Sequence, residues 1–433
     1  MSTYPTYKPS GIEWLGDIPE HWEVKRLKLI GENIGGLTYS PDDVLEDESG
    51  TLVLRSSNIQ NGKFSEEDNV FVDLEISNKQ TTYVDDILLC VRNGSVALVG
   101  KNILIDEETS GLSFGAFMLV FRSKSNSYIY WFFNSPIFSA QKGLFSTTTI
   151  NQLTSGILYA MYSALPPIEE QTAIANYLDE KTTKLDQLIS NKKAQIDKLK
   201  EIRQIEINTA VTKGLDPNVT LKPSGIEWLG DIPEHWEVKR LKNVSTNVQT
   251  GTTPKTAILR YYEDEDIKWF TPVDFTKNIR LTNSKSKISQ IAIDEGAGRL
   301  FPSGSVLLLG IGATIGKVGL ITEDSSSNQQ INCITFNAKM DSLFAAFALK
   351  IYETEIIKIA NFSTMPIFNQ SNSANINIGI PPIAEQTAIA NYLDEKTSKL
   401  DQLVSNLESQ IEQLEEVRKI EIYNAVTGKI KVA

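Results

Sequence analysis

The stretch KPSGIEWLGDIPEHWEVKRLK occurs twice without change, at Lys8–Lys28 and at Lys222–Lys242. A second segment repeats almost as closely. PPIEEQTAIANYLDEKTTKLDQLISN at 166–191 returns as PPIAEQTAIANYLDEKTSKLDQLVSN at 381–406. The likeness fades beyond it but continues, with AQIDKLKEIRQIEINTAVT at 194–212 against SQIEQLEEVRKIEIYNAVT at 409–427. The chain therefore reads opener, variable region, long repeat, and then the same three again. A period of about 215 residues is far longer than the roughly 20–50 residues of a solenoid repeat. It marks a duplicated domain pair.

The long repeat has the marks of a helix. Pro166-Pro167 stands where proline is tolerated at a helix start. Glu169 and Glu170 suit the positive end of the helix dipole, which is explanation enough for that acidic pair. Gly214 and Gly428 stand just past the last helical residue of each copy, where helices prefer to stop. In the second copy Leu400, Val404, Leu407, Ile411 and Leu414 follow gaps of 4, 3, 4 and 3. In the first, Leu185, Ile189, Lys192, Ile196 and Leu199 keep the same rhythm, with Lys192 as a defect whose stem packs while its charge reaches solvent. A helix over 168–213 would be roughly 65–70 Å long at 1.5 Å per residue. A narrow apolar stripe does not hold such a rod alone. The natural partner is the other copy, antiparallel to it, which gives a pseudo-twofold pair.

The variable regions read as matched β-rich domains. ILLCVRNGSVALVGKNILI (87–105) aligns with SVLLLGIGATIGKVGLI (305–321), each as strand, glycine turn, strand. A short helical pattern follows in each, SYIYWFFNSPIF (127–138) and DSLFAAFALKIYETEI (341–356). FSTTTINQ (145–152) then matches FSTMPIFNQ (362–370). The class is α+β: two β-rich globular domains and two long antiparallel coiled-coil helices.

Several chemistries drop out. The 433 residues carry two cysteines and two histidines, too few for a disulfide framework or a cysteine zinc site. Cys90 and Cys333 lie in apolar runs as buried thiols. His21 and His235 hold the same place in the two openers, beside Trp22 and Trp236, and are expected to pack. GIGATIGK lacks the glycine position and the Ser or Thr of a phosphate loop. Gly310, Gly312 and Gly316 give GxGxxxG, not a dinucleotide fingerprint. A tight turn whose amides and Lys317 face a phosphate fits better. No NPPY-like methyltransferase motif and no catalytic constellation occur. No apolar run reaches membrane-spanning length, and no secretory leader is expected. A reducing cytoplasm fits.

The net charge is −12. Region 29–165 holds 8 basic and 16 acidic residues, whereas 243–380 holds 12 of each. Any DNA contact must come from local patches or from a complex in which another subunit supplies positive charge. Polar loops offer such patches. The first domain carries Arg55, Ser57, Asn58, Gln60, Asn61 and Lys63, with Arg92 and Lys101 on the glycine hairpin. The second carries Thr271, Asp274, Lys277 and Arg280, then Thr314 and Lys317, then Asn328, Gln329 and Gln330. Arginine reads guanine, asparagine and glutamine read adenine, and lysine, serine and threonine hold phosphates. The same loops could also be no more than polar surface.

The openers SGIEWLGDIPEHWEVKRLK and the segments PPIEEQTAIANYLDEKTTKLDQLI resemble the specificity subunit of type I restriction-modification systems, over nearly the whole chain. LFPSGSVLLLGIGATIGKVGLITED followed by NQQ is similar to that family's target-recognition domains. The first domain is a looser match, with Asp85-Asp86 in place of the usual Gly-Asp.

The resemblance implies a non-catalytic subunit that binds double-stranded DNA. Two methylation subunits would dock on it, and restriction/translocase subunits would join them. S-adenosylmethionine, ATP and magnesium would belong to those partners, and this subunit would need no cofactor or metal. Each recognition domain would read one half of a split, asymmetric site, and the helices would set the gap. The implied layout is an opener (1–28), a recognition domain (29–165), a spacer helix and turn (166–221), a second opener (222–242), a second recognition domain (243–380) and a second helix (381–433). Trp14, Trp22, Trp228 and Trp236 would anchor partners. The first opener would complete the far end of the chain in a circular arrangement. A coiled-coil adaptor that never meets DNA is the alternative.

Overall fold

The computed structural model describes residues 2–60, 62–144, 151–263, 266–312, 314–360 and 367–432. They form two compact units, one of 1–193 with 408–433 and one of 194–407. Each unit takes part of each long helix.

The helices run Ile168–Lys213 and Ile383–Val426. The first starts and ends where its proline pair and glycine place it. Gly214 and Gly428 take φ of +76° and +67°, the left-handed geometry that closes a helix. Ile189, Ile196, Leu400, Val404 and Ile411 are buried, and Leu185, Leu199, Leu407 and Leu414 are half-buried. Within the first unit the helix segments pair antiparallel. Tyr177 donates to Glu421, Arg418 meets Asp186, and Lys192 donates to Gln410 at 2.5 Å. So the seam lysine finds an amide acceptor on the facing helix. In the second unit Arg203 meets Asp401, and Tyr392 and Lys396 meet Glu206.

In the first unit four antiparallel strands lie in the order Asn102–Leu104, Ile87–Cys90, Met118–Arg122, Glu32–Gly35. Alternation sorts their side chains. Ile87 and Leu89 join the core beneath the long helices, with Phe132, Ile174, Leu178 and Ile422. Leu88 and Cys90 face a second core with Leu54 and Phe114. A smaller sheet of Ser113–Phe114, Thr51–Leu54, Phe71–Val72 and Val44–Leu45 covers that second face. Helices Asn126–Phe133 and Pro136–Leu144 follow the sheet.

The second unit repeats the plan. A five-stranded sheet runs Ser245–Thr250, Ile331–Phe336, Val306–Leu309, Val318–Ile321, Arg280–Leu281. Val306 and Leu308 face the helix Ser342–Lys350 and the long-helix core, while Leu307 and Leu309 face Phe270 and Phe301. Both cysteines are buried and free, and burial pushes both thiols up. Asp85, at the usual glycine position, holds φ +69°, and Gly304 in the second unit holds +83°. The departure in sequence therefore keeps the backbone. Asp86 is buried against Arg122 at 2.6 Å.

The first opener closes onto the end of the chain. Ser2 bridges Lys431, Tyr7 donates to the Gly428 carbonyl, and Lys429 donates to the Asp17 carbonyl.

Candidate nucleic-acid interface

In the first unit the hairpin loop between Ile87–Cys90 and Asn102–Leu104 is tied to its neighbours by hydrogen bonds. Asn93 donates to the Ser56 hydroxyl, Lys101 to the Ser56 carbonyl, and Asn151 to the Gly94 carbonyl. Arg92 bridges Gln152, and its guanidinium lies 5.0 Å from the centre of the exposed Phe117 ring. In the second unit the glycine loop after Leu309 is tied in the same way. Gly310 N–H donates to the Gln330 carbonyl, and Phe368 N–H to the Gly310 carbonyl. Gly310 is required there, because a Cβ would stand 2.5 Å from the Phe368 carbonyl oxygen. The loop joins two antiparallel strands, so it opens no helix onto a nucleotide.

The polar candidates divide. Arg92, Gln60, Lys63, Thr314 and Gln329 are exposed on these loops, and Gln329 accepts from Thr253. Lys317 is half-buried, with Gly316 packed on Glu353. Asn61 lies outside the described residues, as do 145–150 and 362–366 of the matched FST segments.

Others have structural partners within the protein. Asn58 is fully buried, and its amide donates to Ser65, Glu67 and Asn69. Asn328 is buried and bonds Gln330 twice. Thr271 caps a turn with the buried Asp274, as Arg55 N–H does with Asn58. The Arg55 guanidinium pairs with Asp68, and the half-buried Ser57 accepts from Gln60. Arg280 is turned to the second long helix, where it pairs with Asp394 at 2.9 Å. The backbone carbonyl of Lys277 accepts from Arg203 and Lys350. Arg280 and the Lys277 carbonyl thus tie the second domain to the long helices.

Lys350 at that junction is pushed down to about 8, by burial first and then by Arg203, against the pull of Asp401 and Glu353. Its folded value lies below the roughly 10.4 of a free lysine. The unfolded chain therefore binds more protons between pH 8 and 10, and stability rises with pH across that window. Chemical unfolding at pH 7.5 and 9.5 checks this: Lys350→Met should remove the rise.

The openers also differ from expectation. Trp22 and Trp236 are fully buried and cannot anchor a partner. Trp22 donates to Glu170 at the start of the first long helix and packs against Gly428 at the end of the second. Trp236 donates to Glu385 and packs against Gly214. Each indole thus ties one helix start to the other helix end. His21 and His235 are about half exposed and hydrogen-bond the same carboxylates, at 2.6 and 2.8 Å, so they do not pack inside. Glu170 does more than meet the helix dipole. Burial alone would raise its carboxyl, but bonds from His21, Trp22 and Tyr4 outweigh that and hold it below the usual range. Trp14 and Trp228 are half-buried, and Trp228 lies against Tyr352 with the rings tilted by 52°.

Sequence reading missed a repeated apolar stripe. Leu188, Val417 and Ile420 in the first unit, and Leu403, Ile202 and Ile205 in the second, are 42–56% exposed. A shift of 215 residues maps each onto a counterpart. All lie on one flank of the seam, the g and c positions of the heptad. The repeat period was the signal that could have found them. Among the described residues no helix is long and apolar enough to cross a membrane, and no group of metal-binding side chains is found.

Comparison with known proteins agrees with this geometry. A model described as "Type I restriction modification DNA specificity domain" matches residues 19–198 and 233–413. The putative MjaX specificity subunit of Methanocaldococcus jannaschii is 26% identical over 96% of each chain. The EcoKI specificity subunit of Escherichia coli is 27% identical over 55% of this chain and 52% of its own. A solved chain from a study of type I system assembly and conformational transition shares the fold, with TM-score 0.74 and 15% identity over 95% of this chain and 99% of its own. The HsdS subunit from Thermoanaerobacter tengcongensis gives TM-score 0.51 and 15% identity over 95% and 98%. A specificity-domain match in both halves displaces the DNA-free adaptor. The chain belongs to the family of type I restriction-modification DNA specificity subunits.

Proposed function

We propose that this chain is the non-catalytic reading subunit of a cytoplasmic type I complex. Region 29–165 reads one half of a bipartite asymmetric site, and region 243–380 reads the other. The long helices carry two methylation subunits and set the gap between halves, and restriction/translocase subunits join that assembly. S-adenosylmethionine, ATP and magnesium act on those partners. One observation carries the reading. Two units share a hydrogen-bonded frame with matched register, yet differ in the side chains at the loop ends.

The repeated stripe of Leu188, Val417 and Ile420, with its counterpart, supports docking of two copies of one partner. The acidic first domain supports a complex in which those partners supply positive charge around the duplex. Replacing 243–380 by the equivalent region of another family member is expected to change the methylated sequence in one half only. Methylation mapping in a host carrying the partners checks this, and altered preference in both halves would contradict it.

A further inference from the structure

The two heads can be put in register residue by residue. Cys90 pairs with Met118 as Leu309 pairs with Ile331. Two residues past each, Arg92 bridges Gln152 and Ile311 bridges Ile367. Just before each partner strand stand Phe117 and Gln330, whose carbonyls accept from the hairpin loop at the matched positions, Val91 N–H and Gly310 N–H. So Arg92, Phe117 and Gln152 occupy the places of Ile311, Gln330 and Ile367. Arg92, Phe117, Gln152 and Ile367 are exposed, while Ile311 and Gln330 are half-buried. The frame is shared and the chemistry is exchanged. One head presents a cation and an amide around an aromatic ring. The other presents two branched aliphatics around an amide.

We infer that these matched triads are the base-reading side chains of the two heads, an inference that rests on the DNA-reading function proposed above. The Phe117 ring, 5.0 Å from the Arg92 guanidinium, gives that cation a fixed neighbour, and its paired N–H donors match the O6 and N7 acceptors of a guanine. Gln152 offers donor and acceptor to an adenine edge. In the second head Ile311 and Ile367 offer methyl groups to the 5-methyl of thymine, and Gln330 serves adenine. An exposed isoleucine such as Ile367 gains nothing from water. A thymine methyl gives it an apolar surface to cover.

The test uses the assembled complex and a duplex carrying the site mapped from host DNA. Uracil in place of thymine, in the half read by 243–380, removes only the methyl. About a fourfold loss of affinity is expected at the contacted position. Ile367→Ala should erase that difference. In the other half, 7-deazaguanine should weaken binding roughly 5–150-fold at one position. Arg92→Lys keeps the charge but not the fork. It should lose the guanine preference while binding to unrelated DNA is unchanged.

The opposite half of the site serves as the folding control for each variant. Tight binding to the native duplex with no response to any analogue would overturn the triads and leave DNA reading intact. A half-site lacking the expected base would overturn the triad of that head. Equal binding to native and scrambled duplexes would instead remove the reading on which the triads rest.

Discussion

Trp236→Ala should destabilise the second unit by about 3–5 kcal/mol, the range for a buried tryptophan cut to alanine. The indole is fully buried. It lies edge-on to Phe344 at 6.4 Å, and Gly379 and Gly214 leave room for its two sides. Its N–H is bonded to Glu385. Truncation leaves a cavity at the point where three segments meet, and it strips a donor from a carboxylate. Trp22→Ala should act alike in the first unit, where the ring meets Tyr4, Gly428 and Glu170. At roughly 2–4 °C per kcal/mol for units of this size, thermal unfolding should shift by about 6–20 °C. Trp14→Ala, which removes a half-buried ring, should shift it less. If Trp236→Ala unfolded at the parent temperature and lost only partner binding, the indole would be a surface anchor after all.

That error in reading the openers has a physical source. The neighbours of Trp22 in sequence are polar, so the local pattern points to a surface. Its acceptor, Glu170, is 148 residues away, and its packing partner Gly428 stands at the other end of the chain. Burial of this kind depends on closure of the chain, which no local window displays. The helices were legible because their signals are local: a proline pair, a heptad rhythm and a terminal glycine all fall within the element they bound. Thr271 and Asp274 form a capping pair at a spacing that sequence does display, and their polar types drew attention to DNA instead. Arg280 could not be placed from sequence, because its partner Asp394 lies 114 residues away on the second long helix. Phe117, Gln152, Ile311 and Ile367 emerge only once strand register is known, since two apolar residues on a loop carry no period of their own.

Insertion of one heptad into both helices at the same level, after Leu199 and after Leu403, should nearly abolish affinity for the native site. Seven residues add about 10.5 Å of helix, close to three base pairs at about 3.4 Å each. The insert preserves the seam, because a heptad restores each a and d position to the facing helix. Stability should therefore change little, and the circular dichroism of the complex should gain helix. The DNA, in contrast, turns by about a hundred degrees over three base pairs, at 10–10.5 base pairs per turn. A head moved along the duplex without that turn meets the wrong side of the groove. Binding to the native gap should fall toward the non-specific level, which lies about 10³–10⁷-fold weaker than specific binding in such complexes. A library with randomised gap length should recover sites with a longer gap, at reduced affinity. A single insertion after Leu199 is the contrasting variant. It leaves seven residues unmatched across the pair, so it should lower thermal stability and broaden the tolerated gap. Retention of the native gap by the doubly inserted protein would show that the helices do not measure the spacing.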